Sequence, residues 1–525
     1  MAPMTVERIE APVTFKAYLM CAFAAFAGIL FGFDSGYING VLGTAYVKRN
    51  FGDPIEVSET NPTGWHITTS DTSLVVSILS AGTFFGALIS GALADWFGRR
   101  LTIIAGCGVF AIGVVLQVAS TSIALLAVGR VIAGVGVGFV SAINILYMSE
   151  VAPKKVRGAI VSCYQFAITI GLMLAAIVTN AVNGRDDSGS YRIPIGLQFI
   201  WAIILSIGLF LLPESPRFFV KKQRLDEAAK ALARVRGQPI DSDYIQDELA
   251  EIQANFEYEM QVGEVSWAGC FKGGLGKRNS NVRKVVVGVA LQMFQQWTGV
   301  NFIFYYSTIF FQLIGFKDAF LISMITTIVN VCSTPISFWT IEKFGRRPLL
   351  FWGAVCMCIC EFIVAITGAA TSDGMNGNAN AQRAMIAFVC IYIFFFASTW
   401  GPGAWVVIGE IFPLPIRSKG VAMSTASNWF WNCIIGVITP YLMNPDAGNL
   451  KTKVFFLWGS TCACCAVFAY FMIHETKGLS LEQVDKMMDE VTARKSAGYK
   501  PQSTFAQEMG LKEDTTVTEL AETKA

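Results

Sequence analysis

Apolar runs of about 20 residues, the length that crosses a bilayer as a helix, recur along most of this chain and are separated by short polar connections. In the first half they cover residues 17–40, 74–94, 101–119, 123–147, 159–182 and 193–212. In the second half they cover 285–314, 319–341, 349–370, 384–409, 420–443 and 454–473. Only residues 213–284 form a long hydrophilic insertion between runs. The pattern predicts an all-α membrane protein of twelve transmembrane helices in two six-helix bundles, 17–212 and 285–473. Residues 1–16, the 213–284 linker and the 474–525 tail lie outside them.

Polar punctuation refines this outline. Within the linker, Leu225 to Arg236 has amphipathic helical spacing and ends on Gly237, and Asp243 to Met260 reads as a second helix. Ser480 with Gln483 forms a capping-box pattern that starts a helix in the tail, and beyond about Ala493 the polar composition predicts disorder. Arg99, Arg100, Lys154, Lys155, Arg157, Arg346, Arg347, Arg417 and Lys419 fall in alternate short connections, which the positive-inside rule assigns to the cytosol. Lys48, Arg49, Arg185, Arg192, Lys317 and Arg383 lie on the other side, so the bias is not absolute. Both termini are then expected in the cytosol of a multi-pass protein of the plasma membrane. The first 16 residues carry both charge signs and lead into a full-length span, unlike a cleavable signal peptide. In the opposite loop, Asn61-Pro62-Thr63 is a glycosylation pattern blocked by its proline.

Several motifs occur twice, at a nearly constant offset of about 250 to 260 residues. Asp95-Trp96-Phe97-Gly98-Arg99-Arg100 is echoed by Glu342-Lys343-Phe344-Gly345-Arg346-Arg347, and Glu150 to Arg157 by Glu410 to Arg417. Pro213-Glu214-Ser215-Pro216-Arg217 has a weaker echo in His474-Glu475-Thr476-Lys477-Gly478. A tandem duplication of helical halves around a central cleft is the usual build of a secondary transporter.

Composition agrees. Hydrophobic residues make up 54% of the chain and charged residues 15%, against about 25% in soluble domains. A net charge of +2 gives no reason to expect a nucleic-acid partner. The 13 cysteines lie mostly in apolar runs, without metal-ligand spacing. Gly134-Val135-Gly136-Val137-Gly138 lies inside a span and reads as close helix packing. Gly273-Gly274-Leu275-Gly276-Lys277-Arg278 has arginine where a phosphate loop needs Ser or Thr. No cofactor, metal or ATP is therefore expected, and neither is an enzyme, since no nucleophile–base constellation is visible. Membrane lipid is the expected surrounding.

Ionisable residues inside spans are functional candidates because their insertion is costly. Asp34 in the first span and Arg130 in the fourth are placed to pair across the first bundle, either as a permanent bridge or as a functional pair. Glu361 in the ninth span fits a packing or lipid-interface role as well as a functional one. The seventh span concentrates neutral polar groups: Gln292, Gln295, Gln296, Thr298, Asn301, Tyr305 and Tyr306. Gln292, Gln295 and Gln296 share a helical face, with Asn301 nearby if the helix unwinds at Gly299. Amides donate and accept without charge, which suits the hydroxyls of a polyol or sugar. Gln165, Asn330, Asn428, Trp405 and Trp429 add amides and flat aromatic faces, although any one amide can equally bind helix to helix.

On these motifs, with Gln295-Gln296-Trp297-Thr298-Gly299-Val300-Asn301, Trp400-Gly401-Pro402-Gly403-Ala404-Trp405 and Glu475-Thr476-Lys477-Gly478, the chain over about 17–492 resembles a sugar porter of the major facilitator superfamily. Within that superfamily it is similar to the fungal high-affinity hexose transporters. The resemblance implies sugar contacts at Gln165, Gln295, Gln296, Asn301, Asn330, Trp405 and Asn428, and a cavity or gate role for Phe31, Tyr305, Tyr306 and Trp429. It implies proton coupling through Asp34 and Arg130. Asp95, Arg99, Arg100, Glu150 and Arg157, mirrored by Glu342, Arg346, Arg347, Glu410 and Arg417, are expected to form a cytosolic gate of water-exposed ion pairs. His474 departs from the proline that many members carry before Glu-Thr-Lys-Gly. The expected function is transport of a monosaccharide, glucose, a related hexose or xylose, with a proton. Facilitated diffusion and a non-transporting sugar sensor stay open.

Overall fold

A computed structural model describes residues 14–499 except 55–63, 183, 263–265, 275, 277–279, 314–318, 371–378, 444–447 and 449. The apolar runs fold as helices, and several begin on a side-chain cap. Thr68 accepts a hydrogen bond from the Asp71 amide (3.1 Å), Ser122 from Leu125 (3.3 Å) and Ser280 from Arg283 (3.3 Å). Among the described residues, nine helices are long and apolar enough to cross a membrane: Tyr18–Leu42, Ser70–Phe97, Arg99–Val118, Ile123–Val151, Lys154–Val182, Gly189–Leu211, Arg346–Ala370, Asn380–Glu410 and Lys451–Met472. They are spans one to six, nine, ten and twelve. The eighth is a pair, Met324–Ser333 and Ile336–Phe344, bent by 45° at Thr334-Pro335. The seventh is broken into Asn281–Gln296 and Val300–Leu313, and the eleventh is Arg417–Met443. Neither of these two meets the simple apolar criterion, and together they carry much of the amide chemistry noted in the sequence. The polypeptide is thus an all-α membrane protein, apart, among the described residues, from a two-residue antiparallel ladder pairing Asp53 with His66 and Pro54 with Trp65.

Helices of one half pack chiefly on each other: the second and third spans on the fourth, the first on the fifth, the ninth on the twelfth. Glycines bring the fourth span close to its neighbours. A Cβ on Gly134 would overlap the Leu79 carbonyl, and one on Gly136 would overlap the Phe110 backbone. The halves meet where the second span lies on the eleventh, and the fifth on the eighth and tenth.

The linker forms the short helices Pro216–Lys221, Leu225–Arg236 and Asp243–Val262. Gly237 takes the left-handed conformation (φ +69°) that ends the second of these. Val220, Leu232, Ile245 and Ile252 form a small separate core that also takes in Leu414 of the second half. The tail helix Leu481–Glu490 opens with the Ser480–Gln483 capping box. Order extends beyond the expected boundary at Ala493, because Ala493–Gly498 makes a 3₁₀ turn whose Ser496 hydroxyl accepts from the Glu475 amide (2.8 Å). Half of the phosphate-loop-like stretch (275, 277 and 278), the glycosylation-like Asn61-Pro62-Thr63, Lys317 and residues 500–525 lie outside the described residues.

Candidate functional site

The break in the seventh span organises the centre of the molecule. Helix stops at Gln296 and restarts at Val300, and Gly299 between them has φ +83°, a conformation that favours glycine. Gln295 and Gln296 before the break and Asn301 after it thereby turn into one cavity, with an empty volume of about 600 Å³. Gln165, Asn330, Trp405, Asn428, Phe31 and Tyr305 line the same cavity, so all seven residues expected to contact sugar are brought together.

Their amides form a connected network. Asn428 Nδ2 lies 2.7 Å from both Gln292 Oε1 and Gln295 Oε1. Gln295 Nε2 donates to the carbonyls of Trp400 (3.0 Å) and Gly401 (2.8 Å). Those carbonyls lie where a π-helical turn, Phe396–Trp400, leads into Gly401-Pro402, whose proline lacks an N–H. Asn301 Nδ2 donates to Gln296 Oε1 across the break, and Trp405 Nε1 donates to Gln165 Oε1 across the two halves (3.2 Å). Among the described residues, Asn330 Oδ1 has no hydrogen-bond partner.

Two expected members stand outside this ring. Tyr306 donates its hydroxyl to the Gly436 carbonyl (2.8 Å) and thereby ties the seventh span to the eleventh. Trp429 stacks edge-on to Phe31, ring centroids 4.8 Å apart, and lines an adjoining cavity of about 340 Å³. Sequence reading missed Asn432, one helical turn after Asn428. It donates to Gln296 Oε1 and to the Tyr305 hydroxyl (3.2 Å each) and accepts from Ser80 of the other half (3.0 Å). The one-turn spacing of the two asparagines was the available signal. Ser35, Tyr305 and Asn432 line both cavities, and the smaller one reaches Arg130.

Asp34 and Arg130 are both buried, but the expected contact between them is absent. Arg130 Nη1 donates to the Tyr37 hydroxyl (2.9 Å), which donates to Gln117 Oε1 (2.5 Å). Among the described residues, neither Asp34 carboxyl oxygen has a hydrogen-bond partner. Tyr37, nearly one turn beyond Asp34 on the same helix, takes the guanidinium in its place. Glu361 is not at a lipid interface either: it is buried beside Gly299.

The duplicated charges also differ from a water-exposed gate. Arg99 holds Glu150 through two bonds of 2.9 Å, and both side chains are fully buried. Arg346 and Glu410 repeat this at 2.9 and 3.2 Å. Each pair stays within its own half, and because both members are buried, removing either one would strand a charge without its bidentate partner. Glu214 accepts from the amides of Arg99, Arg100 and Ser215 (3.0, 3.0 and 2.8 Å), capping the third span. Glu475 caps the ninth in the same way through Arg346, Arg347 and Lys477 (3.0, 3.2 and 2.9 Å). Arg100 and Arg347 do not cross between halves; their side chains donate to the carbonyls of Leu212 and Tyr470. Arg157 and Arg417 form no ion pair among the described residues and donate to the carbonyls of Leu479 and Phe412.

Other groups do join the halves at the end that carries the linker. Asp95 binds Lys419 and Ser418 (2.5 Å each) and Glu342 accepts from the Ala159 amide (3.2 Å), while Arg217 of the linker binds Glu482 of the tail (2.9 Å). Lys221 adds a bridge to Asp95 (2.9 Å), and burial lowers its pKa to about 8 despite the carboxylate. His474 is buried at the exit of the twelfth span, where desolvation and Arg283 lower its pKa to about 4. The linker end is closed in this conformation.

Residues 20–488 match the family model described as "Sugar (and other) transporter". The chain is 49% identical over 495 residues to the major facilitator-type transporter ecdD of Aspergillus rugulosus, covering 92% of this chain and 90% of that one. It is 42% identical to the high glucose sensor RGT2 of Saccharomyces cerevisiae (89% of this chain, 60% of the sensor). It is also 42% identical to the probable glucose transporter rco-3 of Neurospora crassa (94% and 82%). Among solved structures it is similar to the proton:xylose symporter XylE bound to 6-bromo-6-deoxy-D-glucose, with TM-score 0.76, 26% identity and coverage of 90% and 98%. With its helical halves around an amide-lined cavity, the chain belongs to the sugar transporter family of the major facilitator superfamily.

Proposed function

We propose that the protein carries a hexose such as glucose, or a closely related monosaccharide, across the plasma membrane by alternating access, coupled to one proton. The observation that carries this reading is the ring of Gln165, Gln295, Gln296, Asn301, Asn330 and Asn428, with Trp405, around one cavity. Neutral amides satisfy sugar hydroxyls in both directions, and the indole face covers the apolar face of a pyranose ring. By the positive-inside rule the linker end faces the cytosol, so this conformation is closed toward the inside. Asp95, Lys221, Ser418, Lys419, Arg217 and Glu482 act as the inner gate and part when the site turns inward. Phe31, Tyr305 and Trp429 serve the outer side.

Asp34 is the proton carrier in this reading. It adjoins Ser35, which lines both cavities, and follows Phe31 by nearly one helical turn. A proton on Asp34 neutralises a buried carboxylate that has no hydrogen-bond partner among the described residues, so the first span of the loaded carrier reorients without that negative charge. A membrane potential of ~100 mV supplies about 2.3 kcal/mol per proton, enough to concentrate a neutral sugar roughly 50-fold. The likeness to XylE, named as a proton:xylose symporter, supports coupling. The likeness to RGT2 favours a second reading, a sensor that binds sugar without carrying it.

Radiolabelled D-glucose and D-xylose uptake in a transporter-deficient cell, with and without a protonophore, tests the proposal. Accumulation above equilibrium that collapses with the protonophore is expected. Equilibration without accumulation would assign facilitated diffusion, and binding without uptake would assign the sensor.

A further inference from the structure

The break in the seventh span releases backbone carbonyls, and side chains behind it, on the side away from the cavity, take them up. Thr298 Oγ1 donates to the Gln295 carbonyl (2.7 Å) and Thr461 Oγ1 to the Trp297 carbonyl (2.5 Å). The Thr298 carbonyl receives the Tyr392 hydroxyl (2.7 Å) and the Cys462 thiol (3.7 Å). Glu361 of the ninth span completes this socket. Its Oε1 lies 3.0 Å from where a Cβ on Gly299 would sit, it is 1% exposed, and among the described residues neither carboxyl oxygen accepts a well-formed hydrogen bond, the adjoining Cys462 thiol being turned to the Thr298 carbonyl. The titratable groups facing it are Cys358 and Cys360 on its own span, Tyr392 on the tenth, and Cys462 and Cys465 on the twelfth. None is a cation. The transport role described above uses none of these groups.

We propose that Glu361 is a positioning residue for the sugar site: its protonated carboxyl seats the Trp297–Gly299 break, and loss of that proton unseats it. The neutral acid leaves the Tyr392 and Cys462 hydrogens on the Thr298 carbonyl. A carboxylate in the same place is a buried charge without a counter-ion, and it draws those two donors to itself. The Thr298 carbonyl is then unpaired, and the angle between the two halves of the seventh span loses its support. Gln296 and Asn301, joined across the break, hold the sugar site only while that angle is kept. The proton involved is separate from the one assigned to Asp34, and its effect falls on sugar affinity rather than on coupling.

The inference rests on the sugar-binding reading, and the test separates the two. D-glucose binding to purified Asp34→Asn protein, followed by tryptophan fluorescence across pH, reports affinity without the coupling proton. In this background affinity should fall roughly three- to tenfold as pH rises, the effect of one buried hydrogen bond. Adding Glu361→Gln, which keeps a neutral donor, should retain acid-pH affinity and flatten the profile. Adding Glu361→Ala should weaken binding by a similar factor at every pH. A profile that Glu361→Gln leaves unchanged overturns the inference, and so does a Glu361→Ala protein with unaltered affinity. If Glu361→Ala does not fold, the Glu361→Gln profile alone decides. Failure of the unaltered protein to bind D-glucose or D-xylose would overturn the sugar reading and this inference with it.

Discussion

Arg130 gives a hydrogen bond to Tyr37, 2.9 Å away, and leaves the Asp34 carboxyl beside it without a hydrogen-bond partner among the described residues. This changes what Asp34→Asn should do. The substitution keeps size and removes charge, and it strips no hydrogen bond from Arg130. Normal surface abundance is therefore expected, together with loss of concentrative uptake and retained sugar exchange down a gradient. Tyr37→Phe, by contrast, removes a partner from a buried guanidinium and should lower stability by about 1–3 kcal/mol. Uptake per surface molecule, with and without a sugar gradient, checks both. A well-expressed Asp34→Asn protein that still accumulates sugar would defeat the proton-carrier role.

Gln295 binds Asn428 and the two carbonyls at the π-turn while facing the cavity. Gln295→Ala should weaken sugar affinity by about 0.5–1.5 kcal/mol, roughly three- to tenfold. It should also lower the melting temperature, because the Asn428 amide loses one of its acceptors. Unchanged affinity in a folded protein would move Gln295 to a packing role.

Glu214 and Glu475 cap equivalent spans in the two halves, and both sit against a positive-φ glycine, Gly98 (φ +95°) and Gly345 (φ +91°). Glu214→Gln and Glu475→Gln should each destabilise the protein by about 1–3 kcal/mol, since each weakens several charge-assisted bonds at a helix N-terminus. Gly98→Ala and Gly345→Ala should be at least as damaging, because a Cβ at either position overlaps the capping carboxylate. Thermal melting of the purified variants is the check, and a neutral result at only one of the two positions would contradict their equivalence.

Lys221 gives the linker end a pH response. In the closed form its pKa is about 8, whereas in an open, hydrated form it returns toward about 10.4. The closed form therefore binds fewer protons between those values, so raising the pH from about 8 toward 10 should favour closure. Cysteine labelling across the linker end at neutral and alkaline pH reads this directly. Lys221→Met should remove the difference, and an alkaline shift toward opening would refute it.

His474, with a pKa of about 4, stays neutral through the physiological range. His474→Gln should therefore leave the pH profile of uptake between about 5 and 8 unchanged. A displaced acid limb in this variant would show that His474 takes part in coupling.

Helix count, the duplication and most of the cavity ring were legible because each has a local cause. Span length follows from bilayer thickness, capping follows from Ser480 with Gln483, and the break follows from one glycine between amide-rich turns. The repeated motifs identified which residues correspond between the halves.

Contacts between side chains on different helices were not legible in that way. Whether Arg130 meets Asp34 or Tyr37 depends on helix rotation and depth, to within an ångström or two. The same holds for Arg99 and Arg100: adjacent in sequence, they point about 100° apart on a helix, so one enters a buried pair with Glu150 and the other turns to the Leu212 carbonyl. Glu361 shows the difference most clearly. As a lone carboxyl in an apolar run it fits a lipid-facing, packing or functional place equally well. Only the packing of the seventh, ninth, tenth and twelfth spans puts it against Gly299. A periodic pattern reports what each helix requires of its surroundings, whereas the partners that meet the requirement come from elements far apart in the chain.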